Sequence, residues 1–222
     1  GSNLLNIIND ILDFSKIEAG KLNIEKISFN VIEVLNSLKI MFAPKAEEKQ
    51  INFSLYIDPK TPAYIFGDPT RLNQILINLI NNAIKFTSQG EVKLSCEIKS
   101  IEHDIVQFVF KVQDTGFGIP ADKINSVFER FNQGNTETTR KYGGNGLGLA
   151  IVKQLVEIQN GDIHLKSKEG IGSEFIVKIS YPISYENKKI ETNNINAQLK
   201  IISNKPLNVL LAEDHKDRKS VV

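Results

Sequence analysis

Three short stretches stand in a fixed order along this chain: NLINNAIKFT (Asn78 to Thr87), DTGFGI (Asp114 to Ile119) and GGNGLGLAI (Gly143 to Ile151). The first is an Asn-rich helix, the second a Gly loop that closes a strand, the third a Gly run that opens another helix. Each alone is weak evidence. Together they offer amide oxygens, a carboxylate and bare backbone donors, which are separate contacts for a metal, a base and phosphates.

Asp68 is a good N-cap, and Pro69 suits the first helical position, where its missing N–H costs nothing. The spacing therefore predicts a helix starting there. Leu72, Ile75, Leu76, Leu79, Ile80 and Ala83 recur at helical intervals and define an apolar stripe. At roughly 100° per residue, Asn78, Asn82 and Lys85 lie within about 60° of one another beside that stripe. An amide oxygen can ligate a hard cation such as magnesium, and a lysine adds a point charge for a phosphate. A solvated polar face is the alternative for this helix taken alone.

IVQFVFKVQ, Ile105 to Gln113, reads as a strand in which Val106, Phe108, Phe110 and Val112 alternate with more polar neighbours. Asp114 ends it. A carboxylate there can accept from an exocyclic amine such as that of adenine, while Gly116 and Gly118 let the backbone approach a flat ring. The D-T-G triplet also occurs in aspartic peptidases, but that chemistry needs two such triplets sharing a proton, and this chain has one.

Gly143, Gly144, Gly146 and Gly148 precede a helical pattern of Leu149, Val152, Leu155 and Val156, so backbone N–H groups at a helix start can face phosphate oxygens. Leu149 stands where a dinucleotide fingerprint needs a small residue, and no Gly-Lys-Ser/Thr follows for a phosphate loop. The pattern is neither of those two sites.

On these residues the chain resembles the catalytic, ATP-binding part of sensor histidine kinases of hybrid type. The N box matches at Asn78 to Thr87, and the glycine boxes match at Asp114 and Gly143. FERFNQ, Phe128 to Gln133, is similar to the phenylalanine box. Asn3 to Leu22 is similar to the second helix of the dimerisation and phosphotransfer hairpin. The resemblance implies a two-layer α/β sandwich of the histidine kinase/chaperone ATPase (Bergerat) type, with a mixed sheet packed on helices and an N-terminal helix. It implies ATP and Mg²⁺ as ligands, with Asn82 on the metal, Asn78 and Lys85 at the phosphate end and Phe86 near the nucleotide. Asp114 would read the adenine amine, with Gly116 and Gly118 closing the loop on the base. Arg130 would steer the γ-phosphate, and Gly144, Gly146, Leu147 and Gly148 would line the phosphate side. Lys85 and Arg130 are the expected catalytic pair.

Two positions depart from the family pattern. Ser173 replaces a threonine that supports the adenine aspartate, and Asn145 replaces a threonine or serine of the second glycine box. Both keep a hydrogen-bonding side chain. Residues between Phe117 and Asn145 correspond to an ATP lid, and GNTETTRKYGG within it is polar enough to move. Related ATPases of this fold carry a Glu four residues before the metal-binding Asn, where this chain has Asn78. An amide cannot serve as a general base near neutral pH, so slow hydrolysis is expected, with transfer governed by positioning and charge neutralisation.

The resemblance places the phosphoacceptor histidine on a hairpin helix before residue 1, in a homodimeric full-length protein. His103, followed by Asp104, imitates the acceptor dipeptide but lies in a link between strands. His164 reads as a solvent-facing strand residue, and His215 lies near the C-terminus. The fragment is therefore expected to bind ATP without phosphorylating itself. The Gly1-Ser2 start resembles a tag-cleavage scar. Residues 1–22 are expected to be the hairpin helix, 23–183 the catalytic domain, 184–206 a linker and 207–222 the start of a receiver domain. LNVLLAEDH supplies that last reading through Glu213 and Asp214. A receiver domain, or a separate response regulator, is the implied downstream partner. The apolar face of residues 4–17 would be sticky without its partner helix. A non-kinase ATP-binding module or pseudokinase scaffold of the same fold is the alternative.

A net charge of +1 gives no reason to invoke nucleic acid. Cys96 is the only cysteine, so no internal disulfide can form, which suits a reducing cytoplasm. No apolar run reaches the roughly 18 residues of a membrane span, so any anchor would lie outside the fragment. The remaining expected elements are helices at Asn3 to Lys16, Asn30 to Lys49 with Pro44 as a bend point, and Leu147 to Gln159. Strands are expected at Ile51 to Ile57, 91–98, 105–113, Asp162 to Ser167 and Glu174 to Ser180.

Overall fold

The computed structural model describes residues 15–17, 19–129 and 146–185. These belong to the first of two compact units, Gly1–Tyr185; the second, Glu186–Val222, lies outside the described residues, as does the expected receiver start. Most of the expected hairpin helix also lies outside them, though residues 15–17 are helical.

The elements in chain order are β1 (Ile27–Asn30), α1 (Val31–Glu48), β2 (Ile51–Ile57), β3 (Tyr64–Gly67), α2 (Pro69–Phe86), β4 (Gly90–Glu102), β5 (Ile105–Asp114), α3 (Gly148–Glu157), β6 (Asp162–Lys168) and β7 (Gly172–Pro182). A five-stranded sheet runs in the order β2-β4-β5-β7-β6. β2 lies parallel to β4 and the other neighbours are antiparallel, so the sheet is mixed. One face carries Val92, Leu94, Cys96, Val106, Phe108, Phe110, Val112, Val177 and Ile179, all buried against the helices. Burial also pushes the Cys96 thiol up to about 12, so it is an inert core group.

Among the described residues the other face has no helical layer, and charged side chains cover it. Lys111 pairs with Glu97 at 2.6 Å, Lys166 with Glu174 at 3.9 Å, and His164 with Asp162. Their stems shield Val109 and Ile176, which are only 9% and 8% exposed. A depression of about 560 Å³ on this face, lined by residues such as Lys99, Lys111 and Lys178, includes no residue of the three sequence motifs.

The helices form for legible reasons. The Asn30 side chain accepts from Ile32 and Glu33 N–H to cap α1, which continues through Pro44. Asp68 accepts from Arg71 N–H at 3.0 Å to cap α2, with Pro69 at its start. The apolar stripe of α2 is buried as expected, with Leu72, Ile75, Leu76 and Ile80 at 0% exposure.

β1 and β3 were not expected. They form a separate two-stranded antiparallel sheet, with Ile27 opposite Gly67, extended by a bridge between Ile65 and Ile183. At the same corner Ser28 Oγ and Ser184 Oγ lie 2.6 Å apart and Ser184 N–H donates to Tyr64 O. Asp68 links this corner to α2, since its second carboxylate oxygen accepts from Glu25 N–H at 3.0 Å. β4 and β7 also run longer than expected, and a register shift between Ile98 and Ser100 lets β4 continue to Glu102.

Candidate nucleotide site

The three motifs converge on α2. At its C-terminal end the Phe86 carbonyl accepts from Phe117 N–H at 3.3 Å. A Cβ on Gly116 would stand 2.4 Å from that same carbonyl oxygen, so no other residue fits there without displacing the loop. Midway along α2, Asn78 Oδ1 faces the start of α3, where a Cβ on Gly148 would approach it to 3.0 Å. Asn78 Nδ2 donates to Gln74 O at 3.1 Å, which fixes that orientation. Both glycine motifs therefore pack against the same helix.

Asn78, Asn82 and Lys85 are half-buried, beside the buried stripe and not within it. Lys85 Nζ lies 4.7 Å from the centre of the Phe86 ring, a cation–π distance. Its ammonium is partly desolvated, and burial lowers its pKa from the ordinary lysine value.

Beside the C-terminal end of α2, across Gly116 from the Phe86 carbonyl, Asp114 closes β5 at 7% exposure. Burial raises its pKa above the ordinary carboxylate value, opposed by hydrogen bonds from the backbone N–H groups of Gly116 and Ser173. The Gly116 bond is 2.9 Å long. A buried carboxylate with two backbone donors beside a Gly loop keeps lone pairs with which to accept one more donor from a ligand.

Close packing within the protein adds a requirement of its own for glycine around this loop. Gly118 has φ +68, and a Cβ there would stand 2.0 Å from Lys168 O. Gly172 has φ +135, and its Cβ would stand 2.0 Å from Asp114 O. In this structure, close approach of the protein's own backbone requires them, before any ring is considered. Ser173 likewise supports Asp114 through its N–H, while its hydroxyl lies 3.0 Å from Ser167 Oγ.

Ser167 escaped the sequence reading. Its Oγ accepts from Ile119 N–H at 2.7 Å and donates to Gly172 O at 2.9 Å, tying the Asp114 loop to the β6–β7 hairpin. Its only sequence signal was a polar residue on the inward face of a strand.

Helix α3 begins after Gly146, whose φ is +69, and its N-cap Leu147 makes no side-chain cap hydrogen bond. Leu147 itself is buried at 2%. Gly146, Leu147 and Gly148 are thus placed at the helix start; Gly144, Asn145 and Arg130 lie outside the described residues. Of the phenylalanine box, Phe128 and Glu129 are described, and Phe128 packs edge-on against Phe175 with ring centres 6.2 Å apart. Among the described residues no cluster of three or more His, Cys, Asp or Glu is placed to hold a metal. His103 and Asp104 form the β4–β5 turn with φ +49 and +63, and His164 lies on the charged outer face of the sheet.

This arrangement matches known proteins. A family model for histidine kinase-, DNA gyrase B-, and HSP90-like ATPases matches residues 67–183. The chain is similar to the autoinducer 2 sensor kinase/phosphatase LuxQ of Vibrio vulnificus (strain YJ016), with 42% identity over 97% of this chain and 25% of LuxQ. It is similar also to the sensor protein GacS of Pseudomonas syringae pv. syringae, with 41% identity over 86% of this chain and 21% of GacS. The chain thus spans about a quarter of the length of these curated relatives. Among solved structures, full-length ShkA in complex with AMPPNP superposes with a TM-score of 0.71 at 32% identity, covering 82% of this chain and 36% of ShkA. The nucleotide-free catalytic domain of histidine kinase ThkA gives 0.56 at 28% identity, over 72% of this chain and 96% of that domain. The family match, these relatives and the site geometry agree: the chain belongs to the histidine kinase-, DNA gyrase B-, and HSP90-like ATPases and carries the ATP-binding catalytic domain of a sensor histidine kinase.

Proposed function

We propose that this unit holds Mg²⁺-ATP with its base at Asp114 and its phosphates along α2 and the start of α3, and presents the γ-phosphoryl group to a histidine of the longer protein. The observation that carries this reading is the convergence of Phe86, Gly116, Asn78 and Gly148 on one helix. Asp114 would accept from the adenine amine, and Gly116 and Gly118 would shape the loop against it. Asn78 and Lys85 would face the phosphates, with Phe86 packing near the nucleotide. Gly146, Leu147 and Gly148 would turn the N–H groups at the start of α3 toward phosphate oxygens.

The donor set fits a hard cation: a half-buried amide at Asn82, with no carboxylate cluster competing among the described residues. Bound there, magnesium would neutralise charge between the phosphates. Lys85 and Arg130 would add positive charge around the transferring group. Asn78 stands where hydrolytic relatives of the fold carry a Glu, so water is not activated and transfer to an acceptor side chain is favoured over hydrolysis. His103 and His164, in a turn and on the outer sheet face, are not placed as that acceptor. We assign the acceptor to the first helix of a hairpin whose second helix residues 1–22 resemble, in the longer, dimeric protein, with a receiver domain or response regulator as the onward partner.

Calorimetry with an ATP analogue tests the reading. Asn82→Ala is expected to remove the magnesium dependence of binding. Asp114→Asn is expected to weaken ADP and ATP alike by about 10-fold or more, the value of a charge-assisted hydrogen bond. Unchanged affinity in both folded variants would overturn it.

A further inference from the structure

We propose that Ser167 is a positioning residue that sets how Asp114 reads the base; this rests on the adenine reading of Asp114 above. The Ser167 hydroxyl has one proton and two lone pairs, and the structure uses all three. Its proton goes to Gly172 O at 2.9 Å, and one lone pair accepts from Ile119 N–H at 2.7 Å. With its own proton so committed, its second lone pair accepts the Ser173 hydroxyl at 3.0 Å.

Each contact ends on a part of the base-side loop. Ile119 follows directly on Gly118, whose backbone is pressed against Lys168 O. Gly172 lies against Asp114 O, and the Ser173 N–H holds the Asp114 carboxylate. Gly170 N–H donates to Phe117 O at 2.7 Å, so the same hairpin grips the loop a second time. Without the Ser167 hydroxyl, Ile119 N–H and the Ser173 hydroxyl both lose their partner. The loop and the carboxylate are then no longer fixed to one point. Ser167 thus acts through Asp114, Ser173 and Ile119.

The test uses the full chain and two nucleotides, ADP and inosine diphosphate, which lacks the exocyclic amine. Wild type is expected to favour ADP. Ser167→Ala is expected to weaken ADP binding by about 3- to 10-fold and to shrink the ADP preference, since the loss falls on base reading. Ser167→Thr, which keeps a hydroxyl, is expected to restore the ratio. Should the alanine variant fold poorly, Ser167→Cys keeps the volume with a weak acceptor and is expected to shrink the ratio as well. A merely structural role would weaken both nucleotides equally and leave the ratio unchanged, and that result overturns the proposal. Asp114→Asn separates the two layers: if it too leaves the ratio unchanged, the base-reading role of Asp114 has failed, whereas a ratio lost in Asp114→Asn but kept in Ser167→Ala defeats the Ser167 proposal alone.

Discussion

The two ends of the site are built from different materials. At the base end, between Asp114 and Gly172, backbone presses on backbone: a Cβ at Gly116, Gly118 or Gly172 would stand only 2.0 to 2.4 Å from a carbonyl oxygen. At the phosphate end the contacts come from side chains on a regular helix, and the tightest glycine, Gly148, meets only the tip of Asn78 at 3.0 Å. The first end has its shape before any ligand arrives. The second can adjust its side chains around charge and metal.

The sharpest way to break this contrast is a methyl group at the base end. Gly172→Ala combines φ +135, a region essentially reserved for glycine, with a clash against Asp114 O. We expect a loss of about 3 kcal/mol or more in urea unfolding, a fall in melting temperature of roughly 6–12 °C, and loss of ADP binding. A variant of wild-type stability would show that the hairpin gives way and that the base end is not preformed.

A second prediction concerns charge. The folded pKa of Asp114 lies above its unfolded value, so the folded state favours the protonated form. Its contribution to stability is present in full below the unfolded pKa and is lost as pH rises through the folded pKa. Asp114→Asn removes this dependence while its amide oxygen can still accept from Gly116 N–H. Relative to wild type, the variant should therefore gain stability in parallel urea melts as pH rises from below the ordinary carboxylate range toward neutral, even as it loses nucleotide. A stability difference that does not change with pH would show that the carboxylate is solvated well enough to ionise freely.

The smallest expected effect is at the phosphate end. Gly148→Ala gains helix propensity, worth up to about 1 kcal/mol in a helix interior and less in the first turn, and crowds only Asn78 Oδ1. Stability should change by less than about 1 kcal/mol, while ATP-analogue affinity falls a few-fold through the displaced amide. A collapse as severe as that of Gly172→Ala would erase the distinction between the two ends.

The sequence made the phosphate end more legible than the base end, for a physical reason. The stripe and polar face of α2, its Asp68 cap and the Gly-opened helix α3 are local patterns, readable within a few turns. The base end depends on partners far apart in sequence. Ser167 touches Ile119 across 48 residues, and the close approach at Gly172 becomes visible only once β5 and β7 are in register. The small β1–β3 sheet was missed likewise, because four-residue strands such as YIFG carry too little alternation to announce a partner near residue 27. Gly116 and Gly118 stand out in the sequence, and the packing of β5 against the β6–β7 hairpin and α2 adds a second demand for glycine there.

The pairing of Ser28 with Ser184 has a mechanical consequence. β1 and the stretch that follows β7 are thereby fastened to each other at one corner. Tension between upstream and downstream segments is carried across that short patch and bypasses the strands that hold Asp114.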